Sequence, residues 1–157
     1  MKEEVIELDT VDKYNKFFGV ETYHPMVTVV DLSKITQPAQ PFTINYGIYA
    51  LFLKDTLCGD ITYGRQPYDY QEGTIVCFAP GQVASIHAQE GTRPTGYGLL
   101  FHPDFIRGTQ LGHDIRNYSF FSYEAREALH LSEEERHTVI DCLHKIDTEL
   151  RHPADKH

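Results

Sequence analysis

Tryptophan is absent from this 157-residue chain, and cysteine is scarce. The three cysteines, Cys58, Cys77 and Cys142, include no C-x-x-C pair, and the first two lie in apolar runs. An odd number of cysteines with this spacing argues against a disulfide framework and against a thiolate metal site. We therefore expect reduced, buried thiols.

The chain also has few basic residues, and its apolar runs are short. The 14 Lys and Arg residues stand against 23 Asp and Glu residues, which gives a formal net charge of −9. This balance repels phosphate backbones and anionic membranes, so we expect no DNA binding by this chain alone. The opening MKEEVIELD lacks a basic leader, and the longest apolar run, 48–53, falls far short of the roughly 20 residues that span a membrane. The sequence therefore predicts a soluble, cytoplasmic protein without a membrane partner.

Short strands and tight turns dominate the first two thirds of the chain. The run YGRQPYDYQEGTIVCFAPG, residues 63–81, places two strand-like segments around Glu72-Gly73 and ends the second at Pro80-Gly81. Such punctuation is typical of a small antiparallel barrel, whose interior is either filled by side chains or wide enough for one small ligand. The predicted strands are 27–32, 43–53, 58–63, 68–71, 74–79, 83–88 and 97–102.

Helical signals flank this region. A short helix is predicted over 11–18, Pro103 suits a first helical position, Gly108 suits a stop, and an amphipathic piece follows at 111–118. Ser132 and Glu135 form a capping box that opens a helix running through at least Leu150. The chain thus divides into a barrel with an N-terminal arm, 1–102, and a helical segment, 103–157, within one globular unit.

The last helix carries a narrow apolar seam. Val139, Leu143, Ile146 and Leu150 are spaced four, three and four residues apart, as at the a and d positions of a heptad. Such a seam suits pairing with a second copy of the helix at 132–152, and it equally suits packing on the chain's own barrel; the sequence leaves both open. The heptad-spaced His137 and His144 fall one residue beyond the inward positions, which predicts a solvated face.

The order of these motifs resembles the regulatory half of AraC-type bacterial transcription regulators. The motifs are YHPMVTVVD at 23–31, GTIVCFAPG at 73–81, LLFHPDF at 99–105 and LSEEERHTVIDCLHKIDTEL at 131–150. The resemblance covers nearly the whole chain and implies a cupin-like barrel, a double-stranded β-helix or jelly roll, that binds a small-molecule effector. It also implies a dimerisation helix, and DNA binding only through a C-terminal domain with two helix-turn-helix motifs, which this chain lacks.

The sequence departs from the pattern of metal-binding cupins. Those proteins usually carry an H-x-H pair with a glutamate a few residues on and a further histidine after the Pro-Gly turn. No H-x-H occurs here; Asp60 is the main ionisable residue where the pair belongs, and only His87 lies near a ligand position. We therefore expect no metal, no cofactor and no catalytic residues.

Aromatic residues are the best candidates for lining a pocket. Ten tyrosines and nine phenylalanines offer ring faces, and the tyrosines add hydroxyls for hydrogen bonding in a partly dry cavity. Core packing is the alternative for each ring, because residues 44–53 are apolar on both faces and alternation cannot identify the inward set. The candidate ligand-binding residues are Tyr49, Tyr63, Arg65, Tyr68, Phe78, His87 and Tyr97.

The sequence thus predicts a small-molecule-sensing and dimerisation domain of an AraC-type regulator, a homodimer with an unidentified effector. Ligand binding would order the barrel mouth or the arm 1–19 and change how the terminal helices present the DNA-binding halves. Two alternatives stay open: a stand-alone cupin enzyme, an isomerase or oxygenase, and an interaction module with a filled barrel.

The missing ligand set yields a prediction about metal content. Purified protein should contain less than one equivalent of any transition metal, and chelation should leave its melting temperature unchanged. Elemental analysis and thermal denaturation with and without EDTA measure both. One tightly bound zinc, iron or manganese per chain would instead favour the enzyme.

Overall fold

The computed structural model describes residues 5–35, 42–54, 60–63, 66–67, 74–87, 95–118 and 129–152. Its strands form two five-stranded sheets, and only β1 and β3 pair in parallel among the described strands. The first sheet holds, in spatial order, β1 (Val5–Leu8), β3 (Phe42–Tyr46), β8 (Val83–His87), β5 (Asp60–Tyr63) and β6 (Gln66–Pro67). The second holds β10 (Leu129–His130), β7 (Thr74–Phe78), β4 (Tyr49–Lys54), β9 (Gly96–Phe101) and β2 (Val27–Asp31).

Helix α1 (Val11–Phe18) connects an edge strand of each sheet, because it lies between β1 and β2 in the chain. The Thr10 side chain accepts a hydrogen bond from the Lys13 amide at the start of the helix, and Gly19 ends it. Its apolar residues Val11, Tyr14 and Phe18 are buried in the core between the two sheets. The N-terminal arm is therefore part of the sandwich rather than an appendage.

Strand alternation gives the second sheet two apolar faces. In β4, Ala50 and Phe52 pack into the core between the sheets, whereas Leu51 and Leu53 belong to a separate cluster on the outer face. The same division runs through β7 and β9, where Phe78 and Leu100 point inward and Cys77 and Phe101 point outward. A sheet that is apolar on both faces needs a further layer to cover it.

Short helices and one long helix supply that layer. Ile106 of α2 (Pro103–Ile106) and Ile115, just after α3 (Gln110–Asp114), lie in the outer cluster. Val139, Ile140 and Leu150 of α4 (Glu133–Leu150) pack against the same cluster. The capping box forms as predicted, since Glu135 N donates to Ser132 Oγ at 3.1 Å and Ser132 N donates to Glu135 Oε1 at 2.8 Å.

The predicted strand over 43–53 proves to be two strands in different sheets. The chain crosses from β3 to β4 at Gly47 and Ile48, where Gly47 lies against Asp9 so closely that a Cβ would overlap the aspartate backbone. The Gly47 amide donates to Leu8 O at 2.9 Å, which holds the crossing against the end of β1. The sequence did not indicate this break between β3 and β4, because residues 44–53 are apolar on both faces.

Other boundaries agree with the sequence. Helix α1 has its predicted limits, Pro103 begins α2, and the predicted strands beginning at residues 27, 74, 83 and 97 match β2, β7, β8 and β9 to within about two residues. Strands β1, β6 and β10 were missed, while the predicted strand over 68–71 lies outside the described residues. The fold is thus two mostly antiparallel sheets with a long C-terminal helix, and in the described strands the sheets do not close into a barrel.

Two glycines with positive φ allow a test of the sandwich. Gly96 (φ 123°) begins β9, and a Cβ there would overlap the carbonyl oxygen of Leu53, whereas Gly108 (φ 84°) has open space around it. We expect Gly108→Ala to cost about 1–2 kcal/mol for its backbone conformation alone. Gly96→Ala should cost about 3 kcal/mol or more, because overpacking against β4 adds to the same strain. Urea denaturation measures both, and equal losses would contradict the close approach of β9 to β4.

Candidate functional site

A continuous group of aromatic rings lies in the core between the two sheets. Tyr46 stacks on Phe78 with ring centroids 4.8 Å apart, and Phe52 meets Phe78 edge-on at 6.1 Å. Helix α1 closes one side, with Tyr14 6.4 Å from Phe52 and Phe17 5.5 Å from Phe42. Any molecule bound between the sheets would therefore contact ring faces from both sheets and from α1.

Two of these rings bring hydroxyl groups into the interior. Burial raises the pKa of Tyr46 well above its usual value, and burial also raises the pKa of Tyr14, with a smaller contribution from nearby Tyr46. Both phenols are therefore neutral at physiological pH. They supply hydrogen-bonding groups inside an interior that is mainly apolar.

A lysine occupies one end of this interior. Lys54 follows Ala50 and Phe52 on the inward face of β4; it is only 7% exposed, and its Nζ lies 5.4 Å from the centroid of the Phe52 ring. Its neighbours across the ladder are Thr74 of β7, which is fully buried, and Gly96 of β9. The sequence analysis did not identify Lys54, because the predicted strand ended at residue 53. The available signal was that Lys54 lies two residues after Phe52, and residues two apart in a strand share a face.

The structure separates the candidate ligand-binding residues predicted from the sequence. Phe78 lies in the interior, whereas Tyr49 and Tyr97 lie on the outer face of the second sheet, where Tyr49 stacks on Phe101 at 5.2 Å. The reason is that side chains alternate between the two faces of β4, so Tyr49 and Leu51 point outward and Ala50 between them points inward. The backbones of Tyr63 and His87 lie on the paired strands β5 and β8. The remaining two candidates, Arg65 and Tyr68, lie outside the described residues.

The seam of α4 contacts the chain's own second sheet. Leu143 is only 4% exposed, Val139 and Leu150 pack against the outer cluster, and Ile146 is half-buried at the edge of a groove. Of the two arrangements that the sequence left open, the structure therefore has the seam packed on the chain's own sheet. Pairing of two copies stays a prediction, and only the exposed edge of the seam is available for it.

That groove is apolar and open. It has a volume of about 460 Å³ and lies between α4, the outer face of β2 and β9, and the α2–α3 region. Phe105 and Leu111 on its rim are 47% and 42% exposed, and Lys145 and Glu149 flank it one turn apart on α4.

The C-terminal end of α4 contacts the segment that follows α1. The Arg151 guanidinium lies 4.7 Å from the centroid of the Tyr23 ring, and its Nη1 donates to the Tyr23 hydroxyl at 3.0 Å. Asp147 accepts from Arg151 Nε at 3.0 and 3.1 Å, which fixes the guanidinium. The Tyr23 hydroxyl donates to Glu21, and this hydrogen bond is the main reason that the pKa of Tyr23 is raised.

The heptad-spaced histidines differ in their surroundings. His137 is exposed and lies 3.2 Å from Glu133, in keeping with a solvated position. His144 is exposed as well, as predicted, and its Nε2 lies 3.2 Å from the Tyr97 hydroxyl with the two rings packed edge-on. Tyr97 reaches it because the outward face of β9 lies under α4.

Within the described residues, no group of three or more His, Cys, Asp or Glu side chains is arranged to hold a metal ion. None of the described helices has the length and apolar character needed to cross a membrane. A scan of protein-family models gives no match for this chain, and a search of curated proteins finds no similar sequence. The functional argument therefore depends on the geometry of the described residues.

The two described thiols should differ sharply in reactivity. Cys77 is buried beneath the outer layer, and burial raises the pKa of its thiol to about 12, so the reactive thiolate is almost absent at pH 8. Cys142 is exposed on α4, contrary to the expectation that the thiols are buried. In a Cys58→Ser background, Ellman's reagent should titrate one thiol in native protein and two in denaturant. Rapid native labelling of both would mean that the outer layer does not cover β7.

Proposed function

We propose that this chain is the effector-binding and dimerisation domain of an AraC-type transcription regulator. The supporting observation is the aromatic interior, which contains two phenols and a buried lysine and is closed on one side by the N-terminal helix α1. An interior made only for packing has no need of these polar groups, because burying them costs free energy. The order of elements, a two-sheet sandwich followed by a capped helix, is the order that the resemblance implies.

The proposed mechanism couples the interior to the terminal helix. Tyr14 and Phe18 of α1 form part of the interior wall, and the Asn15 side chain binds both Thr22, at 3.1 Å, and Thr28 of β2, at 3.3 Å. The chain then reaches Tyr23, which holds Arg151 at the end of α4. A ligand that favours one position of α1 would shift the population of α4 orientations through this connection.

A packed interaction module is the second candidate. Its supporting observation is that the described aromatic rings already contact one another, with Tyr46 and Phe78 fully stacked. Such a domain would bind a partner on its surface and no small molecule inside. The two candidates differ in whether any small molecule stabilises the fold.

A thermal-shift screen against sugars, aromatic acids and short-chain metabolites tests the proposal. A ligand at 100 times its dissociation constant stabilises the folded state by about 2.7 kcal/mol, which raises the melting temperature by several degrees. A hit should lose affinity in Phe78→Ala but keep it in Tyr49→Ala, because only Phe78 faces the interior. Binding that depends on Tyr49 alone would move the site to the outer face.

The second prediction for this function concerns DNA. The formal net charge of −9 predicts no shift of duplex DNA near physiological salt, where even non-specific binders have dissociation constants of roughly 10⁻⁴ to 10⁻⁶ M. An electrophoretic mobility assay at micromolar protein measures this. Salt-sensitive binding by this chain alone would place the DNA-contacting surface on the sandwich and contradict the proposal.

Dimerisation is tested at the exposed rim of the apolar groove. Glutamate at Leu143 would place a charge against the chain's own sheet and unfold it, so Leu111→Glu is the better variant. Sedimentation equilibrium should show a wild-type dimer that Leu111→Glu shifts to monomer without lowering the melting temperature. Val5→Glu, at a more exposed apolar residue on β1, is the matched control and should leave the dimer intact. A wild type that stays monomeric at all accessible concentrations would contradict pairing.

A further inference from the structure

We infer that a polar cleft beneath the C-terminal half of α4 binds a small zwitterion of the amino-acid type, with its carboxylate facing Lys34 and Arg151 and its ammonium group facing Asp31. The cleft has a volume of about 340 Å³ and lies between α4, the edge of the second sheet and the segment that follows α1. Sites for small molecules begin at roughly 300 Å³. The cleft is separate from the aromatic interior, so this inference does not rest on the proposed function.

The strand register builds the floor of the cleft. Asp31 of β2 lies directly opposite Tyr97 of β9 in the ladder, on the outer face that α4 covers. Val29, two residues before Asp31, shares that face, and Val20 borders the cleft beside it; both valines are half-buried. Helix α4 supplies the opposite wall, where His144 Nε2 lies 3.2 Å from the Tyr97 hydroxyl. The floor therefore combines one carboxylate with aliphatic surface.

Two opposite charges that line the cleft are not paired with each other. The Asp31 carboxylate accepts hydrogen bonds through Oδ1 from the amide and the hydroxyl of Ser33, at 3.0 and 2.6 Å, and its Oδ2 takes no part in these bonds. Lys34 is exposed at the rim, and among the described residues its ammonium group forms no ion pair. A ligand that carries both charges can therefore meet each of them without displacing an existing ion pair.

Arg151 adds a cation whose position is fixed. Asp147 accepts from its Nε, and the Tyr23 hydroxyl accepts from its Nη1, so the guanidinium is held while Nη2 takes no part in these bonds. Guanidinium and ammonium groups both bind carboxylates through charge-assisted hydrogen bonds. The carboxylate of a ligand in the cleft would therefore lie between Lys34 and Arg151.

The lining as a whole is balanced in charge. Its two cations, Lys34 and Arg151, stand against the carboxylates of Asp31 and Asp147, so the formal charges of these four residues cancel. A zwitterion preserves this balance, whereas a simple anion or cation would leave one charge of the ligand or the cleft unmatched. The aliphatic surface of the floor suits a branched side chain, so leucine and valine are the expected ligands.

The test compares amino acids with analogues that lack one charge. The probes are L-leucine and L-valine against 4-methylpentanoate, which lacks the ammonium group of leucine, and 3-methylbutylamine, which lacks its carboxylate. Isothermal titration calorimetry measures the affinities. The wild type should bind at least one of the amino acids about tenfold or more tightly than either analogue, because each analogue forfeits hydrogen bonds to a charged group.

Two positions allow matched variants. Lys34→Met should weaken binding of the amino acid about fivefold or more, whereas Lys145→Met, at an exposed lysine of α4 outside the cleft, should bind as the wild type does. Asp31→Asn keeps an oxygen that can accept from Ser33 but removes the charge, and it should weaken binding by a similar factor. Asp141→Asn, at an exposed aspartate of α4, is its control.

Each outcome bears on a different claim. If 4-methylpentanoate binds as tightly as leucine, the cleft is a simple anion site and the inference is wrong. It is also wrong if neither amino acid binds, or if Lys34→Met and Asp31→Asn bind as the wild type does. Binding that is lost in Phe78→Ala but kept in Lys34→Met would place the amino acid in the interior, which supports the proposed function and contradicts this inference. Failure to find any ligand that depends on Phe78 counts against the proposed function alone.

Discussion

The fold depends on one strand, β4, that is buried on both faces. Its inward residues form the core shared with the first sheet, and its outward residues form the cluster beneath α4. Exposing either face would cost the free energy of several buried side chains, so the strand requires a second sheet on one side and helices on the other. The three-layer arrangement follows from that requirement, and it places the interior wall and the helix surface on opposite sides of the same backbone.

This arrangement brings together two segments that are far apart in the sequence. Tyr23, which follows α1, contacts Arg151, which ends α4, and these residues are separated by 128 positions in the sequence. The contact is exposed and ionic in part, so its contribution to stability is small. Its importance is geometric, because it links a helix that lines the interior with the helix that covers the outer face. A weak contact of this kind is compatible with the proposed shift in the position of α4.

Local signals in the sequence were sufficient for the elements that local physics controls. A threonine cap and a terminal glycine delimit α1, proline begins α2, and the Ser132–Glu135 capping box opens α4. Each depends on backbone groups within four residues. By contrast, β1 was missed because its parallel pairing with β3 joins residues nearly 40 positions apart, and nothing in VIEL itself marks it. The Gly47 crossing was missed because the glycine is required by Asp9, a neighbour only in the folded chain.

The sequence by itself determined the composition of the site: a tyrosine-rich, tryptophan-free set of rings without a metal-ligand pattern, and a capped helix with an apolar seam. Only the tertiary structure decided which rings face the interior, placing Phe78 there and Tyr49 and Tyr97 outside. It also placed Lys54 in the core and turned Leu143 onto the sheet. The physical reason is that a strand with apolar residues on both faces shows no alternation of apolar and polar residues in its sequence. Which side chains face the interior therefore depends on the elements that pack against each face of the strand.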